Sequence, residues 1–211
     1  MLTLANPEVR AVIYDCDGVL IDSRASNAAF YNHILQKFGR PPLTPEQLDF
    51  VQVSTAQQAI DYLFGTAPEV AAAQAYQQGL DSRPFLPLLR LEPHVQEVLT
   101  RLRPCFQTAI ATNRGKSLPQ VLDYLGLTGF FDFTVTCHHV TRPKPHPECL
   151  RKVLQHFRCQ PQQALYVGDA PVDREVARLA RVPFAAYKNP DLEACYHLGD
   201  HLELLQLLGL T

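Results

Sequence analysis

Seven side chains have types and spacings suited to one chemistry. Asp15 and Asp17 stand one residue apart, directly after the apolar run Ala11-Val12-Ile13. Thr112 and Asn113 follow a second apolar stretch, Lys144 lies between prolines in Arg142-Pro143-Lys144-Pro145-His146-Pro147, and Asp169, after Gly168, is followed four positions on by Asp173. Carboxylates gathered at one point repel one another unless a hard cation sits among them, and all-oxygen donors with spare coordination positions suit Mg²⁺. A lysine fixed beside them is a compact positive charge for an anionic substrate. Pro145 biases its backbone toward the extended form, and Pro147 can open the next helix. With the neutral donors of Thr112 and Asn113 and free backbone amides, the set makes a receptor for a phosphoryl group beside a carboxylate able to act as nucleophile.

Taken singly, each residue has a plainer reading. Asp15 and Asp17 could form a tight turn before Gly18, Asp169 could cap a helix, Asp173 could be a favourable charge in its first turn, and Thr112 could cap the helix that follows it. What argues for a shared site is where the surrounding elements place them. Short apolar segments at 9–14, 108–111, 133–136, 164–167 and 184–187 read as strands. Helical patterns at 93–102, 118–125, 147–157, 172–179 and 202–208 separate or follow them. Strands without clean polar alternation, separated by amphipathic helices, imply an α/β fold with a parallel sheet covered on both faces. In such sheets ligands bind beyond the carboxyl ends of the strands, where these polar residues fall. Between Ser23 and about Leu89 only helical patterns remain: Phe30 to Phe38 at helical spacing, then 45–51, 55–64 and 68–80, each opening on Pro or Thr. A helical block therefore interrupts the α/β domain after its first strand.

Asp15-x-Asp17-Gly18-Val19, Thr112, Lys144 and Gly168-Asp169-x-x-x-Asp173, in that order and with the helical insert after the first motif, closely resemble the haloacid dehalogenase superfamily. The phosphoglycolate phosphatase-like and β-phosphoglucomutase-like hydrolases are the most similar members. The resemblance implies a Rossmann-like three-layer αβα core at 1–22 and 90–211 and an α-helical cap domain at 23–89. It further implies a Mg²⁺-dependent phosphatase acting on a small-molecule phosphomonoester through an aspartyl-phosphate on Asp15. Asp17 would serve as general acid and then base. Thr112, Asn113 and Lys144 would bind the phosphoryl oxygens. Asp15, the Asp17 carbonyl and Asp169 would hold the metal, with Asp173 as ligand, water-mediated ligand or orienter of Lys144. Asp17 favours phosphorus chemistry, because relatives that cleave carbon–halogen bonds lack the second acid. Phosphomutase or phosphotransferase activity, and a partner-binding protein that retains the phosphoryl site, are the alternatives.

Two departures bear on specificity. Related mutases carry a cap histidine where this chain has Asn27, and the loop 51–58 has no arginine or lysine where many relatives read their substrate. Such a neutral loop favours a neutral or weakly charged leaving group, unless Arg24, Arg40 or Arg83 compensates. Arg181 replaces the glycine usual before the last core strand, which concerns helix termination. Cys137, His138, His139, His146 and Cys149 match no zinc spacing and read as loop histidines with packed cysteines. Cys16 reads as a space-filler and His33 as a surface residue.

A net charge of -2 offers no general basic surface for nucleic acid or anionic lipid. Six scattered cysteines without CxxC spacing suggest reduced thiols. The start, MLTLANPEVR, is too short and polar for a secretory signal, and no apolar run approaches a membrane span. A cytoplasmic protein is expected, with no nucleic-acid or membrane partner and with monomer and homodimer both open.

Overall fold

The computed structural model describes residues 8–66 and 68–210. Most of the amino-terminal stretch read above for a leader, residues 1–7, lies outside them. Ala11–Tyr14 (β1) is fully apolar and buried. It is paired on both sides, which is where an unalternating apolar strand is most stable. The other strands are Ile21–Asp22 (β2), Arg90–Leu91 (β3), Gln107–Ala111 (β4), Phe133–Val135 (β5), Ala164–Gly168 (β6), Phe184–Tyr187 (β7) and Tyr196–Leu198 (β8). Six of them form one parallel sheet in the order β5-β4-β1-β6-β7-β8, while β2 and β3 pair antiparallel as a separate short ribbon. Tyr14 is level with Ile110 on one side and Val167 on the other. The segments leaving β1, β4 and β6 therefore emerge together.

Alternate residues of each strand point to opposite faces. Val12, Tyr14, Ile110, Leu165 and Val167 pack against Val95–Leu102 (α5), Leu118–Tyr124 (α6) and His201–Leu207 (α9). Ala11, Ile13, Ala109, Ala111 and Tyr166 pack against Glu148–Phe157 (α7) and Pro171–Ala180 (α8). These are the two covered faces expected from the sequence. Arg181 ends α8 in the left-handed conformation, φ 59°. A non-glycine residue there costs about 1 kcal/mol, and the site is untouched by it.

Between β2 and β3 the chain forms Arg24–Lys37 (α1), Pro45–Val53 (α2), Ala56–Phe64 (α3) and Val70–Gly79 (α4), followed by a 3₁₀ turn at Arg83–Leu88. Tyr31, Ile34, Leu35, Val51, Ile60, Leu63, Phe64 and Ala73 bury themselves together as a cluster separate from the two sheet faces. Thr44 and Thr55 cap α2 and α3, each accepting from the backbone three residues on while Gln47 and Gln58 reach back. These reciprocal caps explain why two nine-residue helices start sharply where they do. Strands β2, β3 and β8 were not expected. At two or three residues each they are too short to display a period.

Candidate active site

Asp15, Thr112 and Asp169 are the first residues past β1, β4 and β6. Backbone pairing continues one step beyond the strands: Asp15 N–H donates to Val167 O at 2.9 Å and Thr112 N–H to Val135 O at 3.0 Å. Two close approaches need glycine. A Cβ on Gly18, whose φ is +81°, would lie 2.1 Å from Asp169 Oδ2, and one on Gly168 would lie 2.4 Å from Asp173 Cβ. Both glycines therefore let carboxylates crowd a single point.

Lys144 is the hub. Its buried ammonium donates to Tyr166 Oη at 2.9 Å and Asp173 Oδ1 at 2.7 Å, and pairs with Asp15 Oδ1 at 2.8 Å. Burial opposes its charge, yet Asp15 and Asp173 hold its pKa above the ordinary lysine value. The peptide bond from Lys144 to Pro145 is cis. Asn113 Oδ1 accepts from Lys144 N–H at 3.0 Å, fixing the lysine's backbone as well.

Asp173 is fully buried and saturated. Oδ1 serves Lys144 and Tyr166, and Oδ2 accepts from Asp169 N–H at 3.3 Å and Ala170 N–H at 3.2 Å. Of the three roles left open for Asp173, these bonds correspond to orienting Lys144. Tyr166 is a site neighbour that the sequence reading left in its strand. Its hydroxyl accepts from Lys144, with Asp173 Oδ1 at 2.8 Å and Ala111 O at 3.2 Å in reach of its proton. Burial and the two acids raise its pKa well above that of a free tyrosine.

Asp15, Asp169 and Asp173 place carboxylate oxygens within 4.8 Å of one another, the one such acid, histidine or cysteine group among the described residues. Cys137, His138, His139, His146 and Cys149 form none. Burial pushes Asp15 up to about 7, Lys144 pulling it down against Asp173. Burial likewise pushes Asp169 up to about 8, reinforced by Asp173 and Asp15. Lys144 meets Asp15 Oδ1 as an ion pair at 2.8 Å. Beyond that pair, the buried oxygen accepts no hydrogen bond from the described residues. Crowded carboxylates that resist ionisation, one with an oxygen left over, are a donor set that fits a hard divalent cation.

Asp17 does not stand free. Arg114 grips both of its oxygens, with Nε to Oδ2 at 2.9 Å and Nη2 on Oδ1, and anchors its own Nη1 on Ser117 Oγ at 3.1 Å. Burial works against the guanidinium charge, but Asp17 more than offsets it and raises the Arg114 pKa. The arginine stood in plain view in Ala111-Thr112-Asn113-Arg114, but nothing local pointed it at an acid 97 positions away.

Thr112 is buried, and its Oγ1 accepts from Arg114 N–H at 3.0 Å, leaving its own proton to donate. Asn113 is differently placed from the expectation of a phosphate donor. Its amide hydrogens go to Val53 O at 3.0 Å and Lys144 O at 3.3 Å, so it braces α2 against the lysine loop. Cys16 is buried in the core, its thiol pushed well up by burial, which accords with a space-filling role. Asn27, at the position of the mutase histidine, donates to Gln52 Oε1 at 3.0 Å and approaches Ser23 Oγ at 3.4 Å. All six cysteines are free, and no helix among the described residues is long and apolar enough to cross a membrane.

The sequence profile of the haloacid dehalogenase-like hydrolases matches residues 12–187. The phosphoglycolate phosphatase of Rhodobacter capsulatus is 30% identical over 95% of this chain and 96% of its own length. Pyrophosphatase PpaX of Oceanobacillus iheyensis is 26% identical over 84% and 83%. A haloacid dehalogenase-superfamily hydrolase (subfamily IA, variant 1) from Geobacter sulfurreducens is 40% identical and superimposes with a TM-score of 0.78, covering 96% of this chain and 97% of that one. Ordered motifs, sheet topology and relatives agree: the chain belongs to the haloacid dehalogenase-like hydrolase family.

Proposed function

We propose that this hydrolase cleaves small-molecule phosphate monoesters with Asp15 as nucleophile. The observation that carries the reading is the ammonium of Lys144, held on Asp15, Asp173 and Tyr166 with no freedom to wander. In the first step a carboxylate oxygen of Asp15 forms a bond to phosphorus, the bond from phosphorus to the ester oxygen breaks, and Asp17, having let go of Arg114 and taken up a proton from solvent before the step, gives that proton to the ester oxygen. In the second, Asp17 takes a proton from water, the water oxygen bonds to phosphorus, and Asp15 is released with inorganic phosphate. Thr112 Oγ and Lys144 hold the phosphoryl oxygens. Asp15, Asp169 and the Asp17 carbonyl would hold Mg²⁺, which when bound would neutralise phosphoryl charge and let the carboxylates ionise together.

Residues 23–89 act as a cap domain over a core of 1–22 and 90–211, since their apolar cluster is their own and Asn113 joins Val53 across the boundary. Mutase or phosphotransferase activity is disfavoured because an amide at position 27 carries no transferable proton. The relatives' names make phosphoglycolate the first ester to try, while a phosphatase and a pyrophosphatase at similar identity leave the substrate to the pocket. With Mg²⁺, purified protein is expected to release phosphate from p-nitrophenyl phosphate and from members of a metabolite-phosphate panel. No release from any of them, beside an active relative, removes the reading.

A further inference from the structure

The cavity over Asp15 has a volume of about 750 Å³, room for an ester larger than its phosphoryl group. Away from the phosphoryl end its lining is rich in side-chain amides, Asn27, Gln52, Gln57, Gln77, Gln78 and Gln120, with Asp81, Lys116 and His138 as its charged or titratable members. None of the cap arginines that could have compensated lines it. Arg24 pairs with Asp49 at 2.7 Å, and Arg83 pairs with Asp81 at 2.8 Å. Arg40 donates to Leu63 O at 3.0 Å and lies 4.3 Å above the Phe64 ring. Among cations from the core, Arg114 is occupied by Asp17 and Ser117, and Lys144, beside Asp15, serves the phosphoryl end alone. Lys116 remains on the lining, but it is solvent-exposed and keeps its own water, so it is not the fixed, desolvated cation that a bound carboxylate needs.

We infer that the organic part of the substrate is uncharged and hydroxyl-bearing, of the polyol or sugar class. A carboxylate or a second phosphate does not suit these walls. A side-chain amide both donates and accepts, as a hydroxyl does, whereas a carboxylate only accepts and needs a fixed cation to replace its water. The inference rests on the phosphomonoesterase reading and departs from the substrate named for the Rhodobacter relative.

The test compares kcat/KM for glycerol phosphate and a set of hexose monophosphates with phosphoglycolate and a sugar bisphosphate, with p-nitrophenyl phosphate as the reference. The best neutral ester is expected to exceed both charged ones by about tenfold or more. Gln57→Arg, which sets a cation on the wall, is expected to raise the ratio of phosphoglycolate to neutral-ester turnover several-fold. A wild type that hydrolyses p-nitrophenyl phosphate but prefers phosphoglycolate or the bisphosphate, or a ratio unmoved by Gln57→Arg, overturns the inference and leaves the phosphatase reading standing. Inactivity toward every ester, p-nitrophenyl phosphate included, overturns both.

Discussion

The phosphoryl end of the pocket and its cap-side wall are built by opposite means. At the first, charged groups are buried and multiply bonded, and Lys144, Asp173 and Tyr166 leave one another almost no alternative arrangement. At the second, exposed or half-buried amides stand on short helices, and Gln57 makes no side-chain hydrogen bond among the described residues. Chemistry common to many esters calls for a preorganised charge field, whereas the choice of one ester is made by groups that cost little to exchange. Substitutions at the two ends should therefore differ in size and in kind.

Asp15→Asn should have the largest effect, a loss of about 10⁴-fold or more in kcat with the melting temperature little changed, because it removes the nucleophile and not the packing. Chelation of the metal should also reduce turnover to background, and Mg²⁺ should restore it. The metal-free protein should show a further signature. Asp15 and Asp169 have folded pKa values raised to about 7 and 8, so the folded chain keeps protons that the unfolded chain releases. Its stability should therefore fall as pH rises from about 4 and level off above about 8, with Mg²⁺ removing most of that slope. Melting temperatures across this range, with chelator and with Mg²⁺, measure it.

Lys144→Met leaves Asp15 and Asp173 buried without their partner. A loss of roughly 10²- to 10³-fold in kcat is expected, with about 3–5 kcal/mol of stability, read by urea unfolding. Arg114→Ala should lower kcat about 10- to 100-fold, yet remove little more in an Asp17→Asn background, since both changes act on one group. Independent, additive losses would detach Arg114 from Asp17. At the small end, Arg83→Ala should leave kcat/KM for every ester within about twofold, because its pair with Asp81 is largely exposed. A large effect there would mean that the cap wall is not neutral in the working enzyme, and the contrast between the two ends would fail.

The two regions also differed in how far the sequence revealed them. Strand ends carrying Asp15, Thr112 and Asp169 were legible, because apolar runs locate the strands and the parallel sheet gathers their carboxyl ends. Lys144 was legible through the prolines that flank it. Tyr166 was not, because an aromatic residue inside an apolar strand reads as packing, and its hydroxyl meets Lys144 only once β6 and the loop after β5 come together. Arg114 and the bracing role of Asn113 were hidden for the same reason: their partners lie across the fold, at Asp17 and at Val53. The fates of Arg24, Arg40 and Arg83 depended on which carboxylate or carbonyl each helix presents, and helical periodicity carries no such information.

The most direct test of Asp15 as nucleophile is acid quenching during turnover of a phosphate ester, followed by mass spectrometry of peptides covering residues 11–24. One phosphoryl group on Asp15 in the wild type, absent from Asp15→Asn, is the expected result. Steady turnover with no phosphoryl group ever found on Asp15, or with one found on another residue, would contradict it.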